Sequence, residues 1–172
     1  PLPPNASGGV KAGAIAAGAY ARIRKQFGIA IGRFEGVEEA LARIGGHTYA
    51  ISALARASAG AGDRGEKPAG PSASAKYHAT ELGREVARDV MDVHGGKGVR
   101  LGPKNYAGRA WQTAPIAITV EGANIMTRSL MIFGQGAIRC HPYVLKEMQA
   151  LKIADYRESL KAFDAALFGH VG

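Results

Sequence analysis

At 172 residues, with 47% hydrophobic and 21% charged side chains, the chain holds enough apolar material for one or two packed domains and too little charge for a disordered one. Its net charge of +8 favours anionic partners. The 22 Lys and Arg are scattered, though, with no RNP sequence or zinc-finger spacing among them, so nucleic acid is not the expected partner.

In chain order, apolar spacing predicts helix nearly everywhere. Ser7 reads as the cap of a first helix over 7–27, followed by a connector over 28–36. A second helix is predicted over 37–59, where Val37, Leu41, Ile44, Ile51 and Leu54 share one face with Thr48 in the gap. The Gly/Pro-rich stretch 60–72 reads as a polar loop. A third helix over 72–94 repeats the face with Leu82, Val86, Val90 and Val93, then stops at Gly95-Gly96-Lys97-Gly98, which opens a second loop over 95–104. The fourth helix, 105–120, contains Pro115 and is expected to kink or break there; 116–120 is the one stretch of short period-two alternation. A fifth starts near Ala123, aligns Met126, Leu130, Phe133 and Ala137, and is expected to end at Gly134, Gly136 and Pro142. A last amphipathic helix spans 143–168, with Asp155, Glu158 and Lys161 on its solvated face. The fold class implied is all-α and four-helix-bundle-like with an extra C-terminal helix, divided into a bundle over 1–136 and an extension over 137–172.

Cys140 is alone, which excludes an internal disulfide and points to a reducing, cytoplasmic location, with a peripheral place at the inner membrane compatible with it. No apolar run approaches the roughly 18 residues of a transmembrane segment. The opening PLPPNASGG has no export pattern and no initiator Met, so the expectation is a piece of a longer chain. His47, His78, His94, His141 and His170 show no metal-ligand spacing, and no metal is expected.

Glu121 follows the apolar run IAITV and precedes Gly122, where the backbone is free to turn. A carboxylate partly desolvated there would titrate above the ordinary range and suit general-base work. On the residues alone, the more ordinary reading is an exposed glutamate at a helix junction, capping the next helix. Arg24, Gln26 and Phe27, ahead of Gly28, read on their own as a surface charge, a polar neighbour and a core aromatic near a helix end. Gly95 and Gly96 let the backbone approach a ligand closely, but no strand precedes them and the phosphate-loop spacing is missing.

Three motifs in order, Arg24-Lys25-Gln26-Phe27-Gly28, Asp92-Val93-His94-Gly95-Gly96-Lys97-Gly98 and Glu121-Gly122 with Arg128, resemble the C-terminal helical domain of the flavin-dependent acyl-CoA dehydrogenases. Asp92 stands where relatives often carry Gln, and Ala123 where many carry Thr. The resemblance implies FAD as cofactor and Glu121 as the base that takes the α-proton of an acyl-CoA, with Glu121 and Gly122 touching substrate. It implies that Arg24, Gln26, Phe27, Gly95 and Gly96 reach the FAD of a neighbouring subunit, in a homodimer or homotetramer. Sequence beyond Arg128 is most similar to the bacterial enzymes of fatty-acid β-oxidation, implying medium- to long-chain substrates, trans-2-enoyl-CoA products and an electron-transfer flavoprotein as acceptor. An acyl-CoA oxidase on the same scaffold, or a non-catalytic helical oligomerisation or binding module, are the alternatives.

Overall fold

A computed structural model describes residues 2–172. They form two compact units, residues 2–124 and 125–172. The expected all-α class holds, with one small β-hairpin inside the first unit.

The first unit is built on three long helices: α1 (Leu2–Ile23), α2 (Glu35–Asp63) and α3 (Ala69–His94). They pack on one another pairwise, and α5 (Ala107–Thr119) lies against α3. Between α3 and α5 a short helix, α4 (Gly96–Val99), occupies part of the expected loop. The core takes Val10, Ala17 and Ala21 from α1, Ala40, Ile44 and Ile51 from α2, and Ala79, Val86, Val90 and Val93 from α3. The apolar stripes predicted for α2 and α3 supply its bulk: Ile44, Ile51 and Val86 are fully buried, each contributing about 1.5–3 kcal/mol. Small residues set the spacing of α1. A Cβ at Gly13 would meet Val90 Cγ2 at 3.2 Å, so glycine there lets α1 settle on α3.

Polar side chains also cross this core. Ser7 is not the expected cap; α1 begins at Leu2 and Ser7 is buried within it, its hydroxyl 3.2 Å from Ser52 Oγ. The Ser52 proton goes to Thr48 O at 2.7 Å, so Ser7 is the donor between the helices. Asp89, 1% exposed, accepts from Arg43 Nε at 2.9 Å and from Arg88 at 3.1 Å, fastening α3 to α2. Burial pushes the Asp89 carboxyl up, but the two guanidinium groups outweigh it and hold it below the usual carboxylate range.

Several boundaries differ from expectation. The first helix stops at Ile23, and residues 25–30 turn back as the hairpin β1 (Lys25–Gln26) and β2 (Ile29–Ala30), paired antiparallel. The chain remains helical through Pro115, so α5 is not broken there, although the proline has no N–H to give to Trp111 O.

In the second unit, α6 (Asn124–Ser129) begins at the last residue of the first unit and runs into a π-helical stretch, Leu130–Ala137, then α7 (Ile138–Cys140). Gly134 and Gly136 therefore lie within helical backbone instead of ending it. The predicted single last helix is two, α8 (Val144–Ala150) and α9 (Tyr156–Val171). Asp155 is the N-cap of α9, accepting from Glu158 N at 2.9 Å, and with Glu158 and Lys161 it is exposed, as expected. Glu147 and His170 join the pair at 2.7 Å, and Ser159 donates to Ala150 O at 3.0 Å. Among the described residues no single helix is long and apolar enough to cross a membrane.

Candidate active site and nucleotide cleft

Two structures on the first unit carry the residues singled out by the sequence. One is the turn between α5 and α6. Glu121 has φ of +54° and Gly122 of +91°. Glu121 is one of two non-glycine residues with positive φ among those described, a conformation costing on the order of 1–3 kcal/mol that persists only where its surroundings impose it. The imposing group is a lysine from α3. Lys76, 7% exposed, donates to Gly122 O at 2.7 Å, Ile118 O at 3.2 Å and Asn124 Oδ1 at 2.5 Å. Asn124 is itself oriented by α3, donating to Thr80 Oγ1 and Glu81 Oε1, both at 2.9 Å. Burial pushes the Lys76 ammonium below the usual lysine range, opposed by the negative charges of Glu121 and Glu81. The Glu121 side chain is exposed on this unit, so the expected partial desolvation is not met by this chain's own residues.

The other structure is a cleft of about 600 Å³, lined by Arg24 just before the hairpin, by Gln26 within it, and by Gly95 and Gly96 after α3. Two short segments far apart in sequence are thus brought together. Gly95, at φ 55° and ψ −135°, has a conformation that glycine tolerates. Open space lies where a Cβ would stand on Gly95 or Gly96. Two further cations, Lys97 and Arg100, line the same cleft, and Lys97 Nζ sits 5.1 Å from the Tyr20 ring. His94 stacks on Tyr20 at 4.6 Å, gives its Nδ1 proton to Val90 O at 2.7 Å, and keeps a buried Nε2 with no partner among the described residues. Three cations, open glycine backbone and an unpaired ring nitrogen form a donor and acceptor set that suits a phosphorylated nucleotide such as FAD. Phe27 is not part of this lining. It is 92% exposed at the hairpin tip, against the edge of Phe34, with φ of +51° beside Gly28 at +80°. Glu121 and Gly122 are not in the cleft either, and Arg128 belongs to the second unit.

A separate apolar groove of about 410 Å³ runs among α1, α3 and α5, with Val10, Val86, Val90, Ile116 and Val120 on its walls. Lys76, Asn124, Lys97 and Arg100 were not singled out from sequence. For Lys76 a signal existed: it stands between Ala75 and Ala79 on the side of α3 that turns inward, an expensive place for an unpaired ammonium.

Residues 5–133 match the acyl-CoA dehydrogenase C-terminal domain family, and residues 138–172 match the bacterial-type acyl-CoA dehydrogenase C-terminal family. The Mycobacterium tuberculosis protein named probable acyl-CoA dehydrogenase FadE25 is 33% identical over 125 residues, 72% of this chain and 32% of that protein. The chain thus spans about a third of the length of the curated relatives it matches. Glutaryl-coenzyme A dehydrogenase, solved as a glutaryl-CoA complex, superposes with a TM-score of 0.73 at 28% identity, over 80% of this chain and 35% of that one. Butyryl-CoA dehydrogenase from Megasphaera elsdenii shares the fold, with a TM-score of 0.72 at 24% identity over 80% and 35% of the two chains. The chain belongs to the acyl-CoA dehydrogenase family, as its C-terminal helical domain with the bacterial-type C-terminal extension.

Proposed function

We propose that this chain supplies the catalytic base and part of the flavin-nucleotide cradle of an FAD-dependent acyl-CoA dehydrogenase, which converts medium- to long-chain acyl-CoA to trans-2-enoyl-CoA. The observation that carries this reading is the Glu121-Gly122 turn, where a glutamate is held in a left-handed conformation by a buried lysine. Glu121 takes the α-proton, and its backbone N–H donates to the thioester oxygen as negative charge develops there. FAD, when bound, supplies the acceptor for the β-hydride. Proton and hydride together leave the acyl chain two electrons more oxidised, as the α,β-alkene. Gly122 keeps the turn open to substrate, and the apolar groove with Val120 on its wall supports an acyl chain as the ligand.

Arg24, Lys97 and Arg100 pair with the pyrophosphate of a flavin nucleotide bound largely by a neighbouring subunit. Gln26 and the Gly95-Gly96 backbone hydrogen-bond it, and Phe27 packs on its adenosine end from the hairpin tip. This arrangement makes the active enzyme a homodimer or homotetramer. Electrons leave through an electron-transfer flavoprotein, and the enzyme works in the cytoplasm. By ancestry the bundle ends near residue 136 and the bacterial-type extension begins at 137.

The test is Glu121→Gln in the complete flavoenzyme that carries this domain. Expected is a loss of turnover of about 10⁴-fold or more with FAD still bound, since the carboxamide keeps the shape and loses the base. Turnover within tenfold of the parent at full FAD loading would remove Glu121 from the mechanism. Rapid oxygen consumption without an electron-transfer flavoprotein would instead assign the oxidase chemistry of the same scaffold.

A further inference from the structure

An ammonium group buried to 7% exposure has lost most of its hydration, and each of its three protons must find a strong acceptor. Lys76 uses all three on the polypeptide that surrounds Glu121. Ile118 O lies in the last turn of α5, before the glutamate, and Gly122 O follows it directly. The third acceptor, Asn124 Oδ1, begins α6. One side chain therefore grips the end of one helix, the residue after the base and the start of the next helix. The C-terminal carbonyls of α5 also present partial negative charge, which an ammonium satisfies better than a neutral donor.

The grip is itself held. Asn124 is 2% exposed and its amide can point only one way, because its two protons go to Thr80 Oγ1 and Glu81 Oε1. Thr80 passes its own proton back to Lys76 O at 2.9 Å. Lys76, Thr80 and Glu81 lie on α3, so the reference for the turn is a long core helix and not the short joint between α5 and α6. Without such a reference a glutamate would relax from φ +54° toward ordinary backbone, carrying its carboxylate and its N–H away together. A neutral glutamine at 76 would bury more cheaply. The lysine instead places a positive charge beneath the base, close enough that Glu121 is the largest electrostatic partner opposing the effect of burial on Lys76.

Building on the reading of Glu121 as the base, we propose that Lys76 is a positioning residue for it: acting with Asn124 and Thr80, it locks the left-handed turn that aims the Glu121 carboxylate and backbone N–H at the substrate. It touches neither substrate nor cofactor. Its effect is on the proton-transfer step and not on acyl-CoA or FAD binding.

The experiment measures Lys76→Met and Thr80→Val in the complete flavoenzyme, with FAD content, kcat, KM and the kinetic isotope effect for substrate deuterated at the α-carbon. For Lys76→Met, kcat falls about 100-fold, KM stays within about threefold, FAD content is unchanged, and the α-deuterium isotope effect rises as proton abstraction becomes limiting. Thr80→Val, which only loosens Asn124, shows the same pattern at about fivefold. An FAD-loaded Lys76→Met enzyme with kcat within threefold of the parent overturns the proposal. So does a loss of kcat with the isotope effect unchanged, the mark of a purely structural lysine. If Lys76→Met does not assemble with FAD, Thr80→Val decides: parental kcat and isotope effect overturn the proposal, and a slowed, more isotope-sensitive turnover upholds it. Glu121→Gln separates the two levels. An inactive Glu121→Gln enzyme beside a fully active Lys76→Met enzyme defeats only the role of Lys76, whereas an active Glu121→Gln enzyme defeats the base itself.

Discussion

The turn at Glu121-Gly122 and the hairpin at Phe27-Gly28 share a local geometry and differ in everything beneath it. In each, a large non-glycine residue takes a left-handed φ, +54° for Glu121 and +51° for Phe27, and a glycine follows with positive φ. The hairpin needs no tertiary support. A two-residue loop between paired strands asks for positive φ at both central positions, and the Lys25–Ala30 and Gln26–Ile29 pairs close it. Phe27 is left almost wholly in solvent. The Glu121 turn joins two helices, has no ladder to close it, and is held from below by a buried lysine, an asparagine and a threonine. The same conformation is thus produced once by short-range pairing and once by a core helix. The first is suited to reaching outward; the second is suited to holding a group still.

The largest expected break between the two comes from Asn124→Leu, which leaves the buried Lys76 ammonium an acceptor short. It costs about 3 kcal/mol of unfolding free energy by urea titration, whereas Arg24→Ala, beside the hairpin, stays within about 0.5 kcal/mol. A cost for Asn124→Leu as small as that for Arg24→Ala would mean that the clamp is not what secures the turn.

Relieving the strain directly gives smaller effects of opposite sign. Glu121→Gly raises stability by about 1 kcal/mol, seen as a higher midpoint of thermal unfolding, while abolishing turnover. The gain should shrink in a Lys76→Met background, where the turn is already free to relax. Phe27→Asn, placing Asn-Gly in the hairpin, raises stability by about 0.5 kcal/mol and weakens FAD retention in the complete enzyme. A destabilised Phe27→Asn protein would show that Phe34 packing outweighs turn preference at that tip.

The last contrast lies in how stability responds to acid. Asp89 lies on α3, the helix that holds the Glu121 turn, and its folded carboxyl titrates below the ordinary value of 3.8. Its contribution to stability is complete above that value and is lost as pH falls through the folded pKa, because the unfolded chain takes up the proton first. Asp89→Asn therefore destabilises the protein at neutral pH and flattens the acid limb of its stability curve. An acid limb identical to that of the parent would remove Asp89 from the account.

Much of this was legible in the chain. Residues such as Ile44, Ile51, Val86 and Val90 repeat at helical spacing and are buried where that spacing puts them. The same kind of spacing in the second unit was misleading, since Leu130, Phe133 and Tyr156 are exposed on this chain. Periodicity reports an apolar face, not what covers it. Residue type alone does not settle which candidate caps a helix. Ser7 and Asp155 are both good caps, and only the helix start actually taken distinguishes Ser7, buried against Ser52, from Asp155, which caps α9.

By itself the sequence determined the helical class, the core stripes of α2 and α3, and three short motifs at Arg24, Gly95 and Glu121 that mark the family. These depend on side-chain type and near-neighbour spacing, which a linear reading preserves. Only the tertiary structure decided that Arg24, Gln26, Gly95 and Gly96 face one cleft while Phe27 stands outside it, and that Glu121 is exposed above a buried Lys76. Those outcomes turn on groups brought together across 42 to 48 positions of chain, such as Lys76 with Ile118, Gly122 and Asn124. A buried ammonium selects its acceptors by distance in the fold and not by place in the sequence, because leaving any of its protons unpaired there would cost more than the turn it holds.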